Sequence, residues 1–221
     1  VVDKFHDPLL TPKEAARHLR IPESTLYGWL NERVEDDPLV HAVRQAKRGA
    51  PTVPFIAVVE CYVLRSLRDL SLSRQAIRDA AATVRREFGT PYGLATQRIA
   101  TDGVDIFVHY LDDDEIVRAR DGQRPIRDVI DDYLRYIHWD ESDGFPQRLR
   151  LRQYSDVAPV IIDPRFGWGT PVLETAKVPV DAIVGLCQAG ESLETVAEEF
   201  EITSAQAEEV CRAALASVHA A

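Results

Sequence analysis

The chain has 221 residues, 45% of them hydrophobic and 28% charged, with a formal net charge of −10. That composition suits a globular protein long enough to bury a substantial core. Its longest apolar runs, Val53–Val59 and Val178–Leu186, fall well short of a membrane span, and the opening "VVDKFHDPLL" lacks the pattern of a signal peptide, so a cytoplasmic chain is expected.

In chain order, the first element is a strongly signalled helix. Thr11 is an N-cap, Pro12 takes the first helical position and Glu14 completes a capping box. Ala15, Ala16 and Leu19 form its apolar stripe, and Ile21-Pro22 makes a turn. A second helix places Leu26, Trp29 and Leu30 on one face at i, i+3, i+4. Ser24, Gly28 and Asn31 point the opposite way, with Thr25 and Tyr27 on the flanks. Two short helices with an apolar back and a small, polar front form a helix-turn-helix with a recognition helix.

Val34–Pro51 is rich in turn formers and reads as a loop or wing that brings Arg44, Lys47 and Arg48 together. Two helices are expected next. One covers about Phe55–Leu70; the other runs from a Ser73 cap to Phe88, with Gly89 as terminator. From Gln97 the period shortens. "QRIATDGVDIFVHY" is read as a hairpin turning at Asp102-Gly103, and "EIVRARDGQR" as a further strand and turn. A helix over Ile126–Leu134 precedes three short strands in "RYIHW", "RLRLRQY" and "PVIID". The end is helical again: Pro179–Gln188, Leu193–Phe200 and Ser204–Ser217. The expected fold is therefore α+β and mainly helical, in three segments: 1–92, a β-containing middle 93–158, and a helical 159–221.

The last helices repeat the first at an offset of 181 residues. Thr11 matches Ser192, Ala15-Ala16 matches Val196-Ala197, Leu19 matches Phe200, Ile21 matches Ile202, and Leu26 and Leu30 match Ala207 and Cys211. Both segments should form a helix-turn-helix, but residues 11–31 carry net +1 and residues 192–212 net −5. The totals follow the same partition: the first hundred residues are +3 and the remainder −13. Phosphate attraction acts over about 10 Å at moderate salt, so the first copy can meet DNA while the acidic part faces away. The second copy would repel DNA and suits packing or dimerisation.

Residues 1–100, with "TPKEAARHL-R-IPESTLYGWL" followed by "VPFIAVVECYVLRSLRDLSLSRQAIRDA", resemble the MerR-type helix-turn-helix. Residues 160–217 resemble a small bacterial family of unknown function whose hallmark runs I-D-P, G-x-P-V-I and a G-T-R-I-P-like step. Here "IIDPRFGWGTPVLETAKVPVDAIVG" keeps the first two, but Thr175, Ala176 and Lys177 stand at the G-T-R step. Together the two segments resemble the longer VapB antitoxins of VapBC toxin–antitoxin pairs. The resemblance implies a homodimer that represses its own operon and masks the acidic Mg²⁺ site of a PIN-domain ribonuclease toxin.

Lys13, Arg17 and Arg20 are placed to hold phosphates, with Arg44, Lys47 and Arg48 nearby, while Ser24, Thr25, Tyr27 and Asn31 can reach base edges. Low net charge per copy favours a dimer on two half-sites of operator DNA. Arg148, Arg150 and Arg152 alternate with leucines at period 2, so three guanidiniums share one strand face. They either pair with Asp131, Asp132 or the Asp112–Asp114 run, or contact the carboxylates of a toxin.

"LDDDE" (Leu111–Glu115) is read as a solvated loop; a Mg²⁺-dependent hydrolase is the alternative it would support. A stand-alone MerR-type regulator sensing a small ligand is a further alternative. No metal, cofactor or catalytic residue is expected. His41, His109 and His138 lack ligand spacing and suit structural roles. Cys61, Cys187 and Cys211 lack CxxC or metal spacing and are expected as reduced thiols. Trp168, between glycine turns, is expected to anchor the core.

Overall fold

The computed structural model describes residues 2–35, 37–44, 46–70, 72–103, 105–106 and 126–218. The "LDDDE" run, His109 and the "EIVRARDGQR" segment lie outside them. The fold is mainly helical α+β. Helix α1 (Pro12–Leu19) opens with the expected capping box: Thr11 Oγ1 accepts the Glu14 N–H, and the Glu14 carboxylate accepts the Thr11 N–H at 2.8 Å. It ends where Arg20 turns left-handed at φ 50, which directs the Ile21 N–H back to the Ala16 carbonyl at 2.9 Å. Helix α2 (Glu23–Asn31) follows, and strands β1 (Arg33–Val34) and β2 (Asp37–Pro38) form a short antiparallel wing.

Helix α3 (Phe55–Asp69) is buried along almost its whole length, as its continuous apolar run requires. Helix α4 (Arg74–Phe88) is capped by Ser73 and ends at Gly89, left-handed at φ 67. The hairpin expected from Gln97 is corrected as far as it is described. Gln97–Ala100 is a 3-10 turn, and Gly103, Asp105 and Ile106 are helical. Leu94, Ala95 and Ile99 all point inward at helical rather than alternating spacing, and Arg98 pairs with Asp102 one turn on. The apparent alternation came from polar residues on the solvent side of that turn.

After helix α5 (Ile126–Leu134), four strands form an antiparallel sheet in sequential order: β3 (Ile137–Trp139), β4 (Pro146–Arg150), β5 (Val160–Ile162) and β6 (Val172–Leu173). Helices α6 (Val180–Gln188), α7 (Leu193–Glu199) and α8 (Ser204–Val218) close the chain. One hydrophobic cluster runs through all of these segments, from Leu10 to Ala213.

The repeat is reproduced in the backbone bonds that build its turn. Ser192 caps α7 by accepting the Thr195 N–H, as Thr11 accepts that of Glu14. Glu201 is left-handed at φ 53 where Arg20 is at φ 50, and the Ile202 N–H reaches the Ala197 carbonyl at 3.0 Å. The Ala207 N–H bonds the Thr203 carbonyl as Leu26 bonds that of Pro22. Superposing the two turns sets Glu194, Glu198 and Glu201 at the positions of Lys13, Arg17 and Arg20.

Two further expectations are corrected. Cys187 and Cys211 form a disulfide between α6 and α8, leaving Cys61 as the buried free thiol. Their pairing follows from the packing of the three helices, which spacing alone does not reveal. Trp168 is 80% exposed instead of anchoring the core. Gly167, Trp168 and Gly169 are all left-handed, at φ 58, 53 and 83, and Gly169 presses so close to Leu9 that a Cβ there would lie 2.5 Å from the Leu9 Cβ. The tight turn fills the interior with backbone and turns the indole outward.

Candidate nucleic-acid interface

The apolar backs of α1 and α2 are fixed by Ala15, Ala16, Leu19 and Leu26, all essentially inaccessible to water. The Arg65 guanidinium on α3 donates to the Leu19 carbonyl at 2.6 Å, closing the end of α1. Facing outward on α2 are Ser24, Tyr27, Gly28 and Asn31; Tyr27 is 45% exposed, and no atom lies within 4 Å of a Cβ placed on Gly28. This front is open enough for close approach of a duplex.

The four polar candidates on α2 are not equivalent. Asn31 turns its amide onto the Tyr27 carbonyl at 2.7 Å, and Thr25 accepts a hydrogen bond from Arg68 at 3.0 Å. The Ser24 and Tyr27 side chains are exposed and make no such bond among the described residues. Arg68 was missed in the sequence because it lies 43 residues from Thr25. The available signal was that Arg65 and Arg68 are the first cations, three apart, in a largely apolar helix.

Arg44, Lys47 and Arg48 are exposed on the loop after the wing and form no ion pair among the described residues. The base of that loop is tied to the start of α1: the Val43 N–H bonds the Thr52 carbonyl, and the Thr52 and Val53 N–H groups both bond the Leu10 carbonyl at 3.0 Å. His41 holds the loop from beneath through the buried Glu60 carboxylate. Lys13, the second residue of α1, is exposed at this same end.

The other end of α1 departs from expectation, because the acidic part of the chain does not face away from it. Arg17 pairs with Asp181 on α6 at 3.4 Å, and the Arg20 guanidinium donates to the Ala213 carbonyl on α8 at 3.3 Å. The Gln153 amide donates to the His18 carbonyl at 2.9 Å. Burial, with Arg17 beside it, pushes His18 down to about 4. Compact packing of the C-terminal helices onto the shared core brings them here, an effect that regional charge totals cannot show.

Arg148 and Arg150 lie on one face of β4, as period 2 requires, but with partners other than those expected. Arg148 pairs with Glu174 at 2.6 Å and Arg150 with Asp156. Arg152 lies beyond the strand, exposed, its guanidinium stacked 3.8 Å from the centre of the Tyr133 ring. His41 and His138 occupy structural positions, His41 on Glu60 and His138 in β3. Among the described residues there is no cluster of three or more His, Cys, Asp or Glu suited to a metal ion, and no helix is long and apolar enough to cross a membrane.

Comparison with known proteins matches two separate stretches of the chain. The family model of a candidate DNA-binding helix-turn-helix domain matches residues 8–81, and that of a protein family of unknown function, DUF433, matches residues 160–212. A Mycobacterium tuberculosis protein named as a candidate antitoxin, VapB45, is 31% identical over 92% of this chain and 92% of its own. The crystal structure of Rv2018 from the same organism superposes with a TM-score of 0.78 at 29% identity, covering 96% of this chain and all of that one. The chain belongs to the VapB-type antitoxin family, with a DNA-binding helix-turn-helix domain at its N-terminal end.

Proposed function

We propose that this protein represses its own operon by binding DNA through α1, α2 and the loop after the wing, and that it neutralises a PIN-domain ribonuclease. The observation that carries the DNA half is the exposed front of α2, Ser24, Tyr27 and Gly28, together with four exposed cations that form no ion pair among the described residues: Lys13 at the start of α1 and Arg44, Lys47 and Arg48 on the loop tied to that start. In this reading Lys13 and the loop cations hold phosphates, with Arg17 and Arg20 joining them on the complex. Ser24, Thr25, Tyr27 and Asn31 read base edges, and a homodimer spans two half-sites.

The test is titration of a duplex taken from upstream of the gene. Changing Lys13, Arg44, Lys47 or Arg48 to Ala should weaken binding to all sequences and lower the slope of affinity against salt by about 1 per cation. Unchanged affinity in all four would refute the reading.

The toxin half is supported by the name of the VapB45 relative. Residues 159–221, with the middle segment 93–158, are assigned to the toxin and 1–92 to DNA. Of the three arginines on and after β4, Arg152 is the one open to a partner without breaking an ion pair, and Trp168 offers the largest exposed apolar side chain among the described residues. Co-expression with the nuclease encoded beside it should restore growth. Arg152→Ala and Trp168→Ala should each reduce that rescue; full rescue by the double variant would move the contact elsewhere.

A further inference from the structure

We propose that the C-terminal helices act as an intramolecular competitor of DNA, holding Arg17 and Arg20 until the phosphate backbone or a partner displaces those two polar contacts. The proposal rests on the DNA-binding reading of α1. Two of the three cations on α1 are already engaged in the free chain, Arg17 by the Asp181 carboxylate and Arg20 by the Ala213 carbonyl in α8. Each partner belongs to the segment after residue 160, which holds 3 basic and 10 acidic side chains. Contact at 3.4 Å places the Asp181 carboxylate well inside the roughly 10 Å over which a phosphate backbone is felt at moderate salt.

The contact is built to release. Arg17 and Asp181 are 56% and 66% exposed, so their pairing is weak and salt-sensitive. Arg20 donates to a backbone carbonyl oxygen of α8 at 3.3 Å. Two bonds from the middle segment run beside these contacts, Gln153 to the His18 carbonyl on α1 and the Ser155 N–H to Glu209 on α8 at 3.3 Å. A DNA phosphate offers a full charge and bidentate geometry to the same guanidiniums, which is a stronger acceptor for Arg than either internal partner. The repeat supplies the logic. The second copy keeps the turn of the first but has carboxylates where the first has its three cations, so it cannot itself hold DNA and adds negative field beside the copy that can.

The experiment compares full-length wild type with Asp181→Asn, Asp181→Lys and Glu191→Gln, using a labelled duplex from upstream of the gene at low and high salt. Glu191 follows the end of α6, about 15 Å along the helix from Asp181, so it changes the same charge away from the seam. Asp181→Asn should tighten binding roughly two- to five-fold at low salt and Asp181→Lys by more, with both gains fading at high salt. Glu191→Gln should gain less than Asp181→Asn.

Hydrogen–deuterium exchange gives a second readout that does not depend on substitution. Exchange over residues 153–156 and 209–213 should rise when the duplex binds. Binding by wild type with unchanged affinity in both Asp181 variants overturns the competition alone. So does a gain in Glu191→Gln equal to that of Asp181→Asn, or unchanged exchange in both segments. Binding by none of the four proteins overturns the DNA reading together with it.

Discussion

The Glu60 carboxylate, fully buried in α3, accepts two hydrogen bonds from His41: one from its backbone N–H at 2.8 Å and one from its ring Nδ1 at 2.7 Å. A single carboxylate thereby fixes both the main chain and the side chain of the residue that begins the Arg44–Arg48 loop. Arg85, also largely buried, supports the same corner by donating to the Pro38 and Leu39 carbonyls. Glu60→Ala removes both acceptors and leaves two donors unsatisfied in a dry site. The expected cost is about 3 kcal/mol in denaturant unfolding. Glu60→Gln, which keeps an acceptor, should cost less. Both should weaken DNA binding in that order, since the loop loses its anchor.

The turn around Trp168 makes opposite predictions for adjacent residues. Trp168 holds φ 53 while burying little, so Trp168→Gly relieves strain of about 1 kcal/mol, partly offset by greater freedom in the unfolded chain. Stability should stay level or rise slightly. Gly169→Ala forces a methyl against the Leu9 Cβ at φ 83 and should lower stability by about 2 kcal/mol or more. Thermal unfolding of the two variants checks both signs.

Acidification should loosen the seam at α1. His18 is pushed down to about 4 from an ordinary value near 6.5, so the unfolded chain takes up its proton first as pH falls. The resulting stability is complete above about pH 6.5 and is lost as pH falls through about 4, amounting to about 3 kcal/mol. Comparing unfolding free energies from about pH 7 to about pH 4 in wild type and His18→Gln isolates this part. A pH dependence identical in both proteins would rule it out.

Reduction should act on the C-terminal helices. The Cys187–Cys211 disulfide closes a loop with a sequence separation of 24, a constraint on the unfolded chain of about 3 kcal/mol. A reductant should lower the unfolding midpoint of wild type and leave Cys187→Ser unaffected, while Cys61 stays unreactive under native conditions because it is buried.

Most helices were legible because their ends carry local chemistry. Thr11 with Glu14, Ser73 with Gly89, and Ser192 each name a boundary through a bond made within four residues, and all three appear in the structure. The repeat was legible for the same reason. What escaped depends on distant packing. Arg17 meets Asp181 across 164 positions, and no local pattern indicates it. Trp168 was misplaced because hydrophobicity favours burial, while the left-handed turn that exposes it is set by Leu9 packed against Gly169. Three cysteines on apolar faces gave no hint of which two would meet. Around Ile99, helical and alternating spacing coincide over too few residues to separate.

The continuity of the core bears on how the DNA-binding head can be isolated. The Tyr62 hydroxyl in α3 donates to the Tyr133 carbonyl at 3.1 Å in a buried position, and Leu94, Ala95, Ile99 and Ile130 are sealed in the same cluster. A fragment cut to residues 8–81, the span of the helix-turn-helix match, would therefore keep α1 and α2 but lose Arg85 from beneath the loop and bare the flank of α3 that those residues cover. Excision by sequence boundaries alone would yield a sticky piece. A usable fragment needs either the chain through α5 or polar substitutions on the uncovered side of α3.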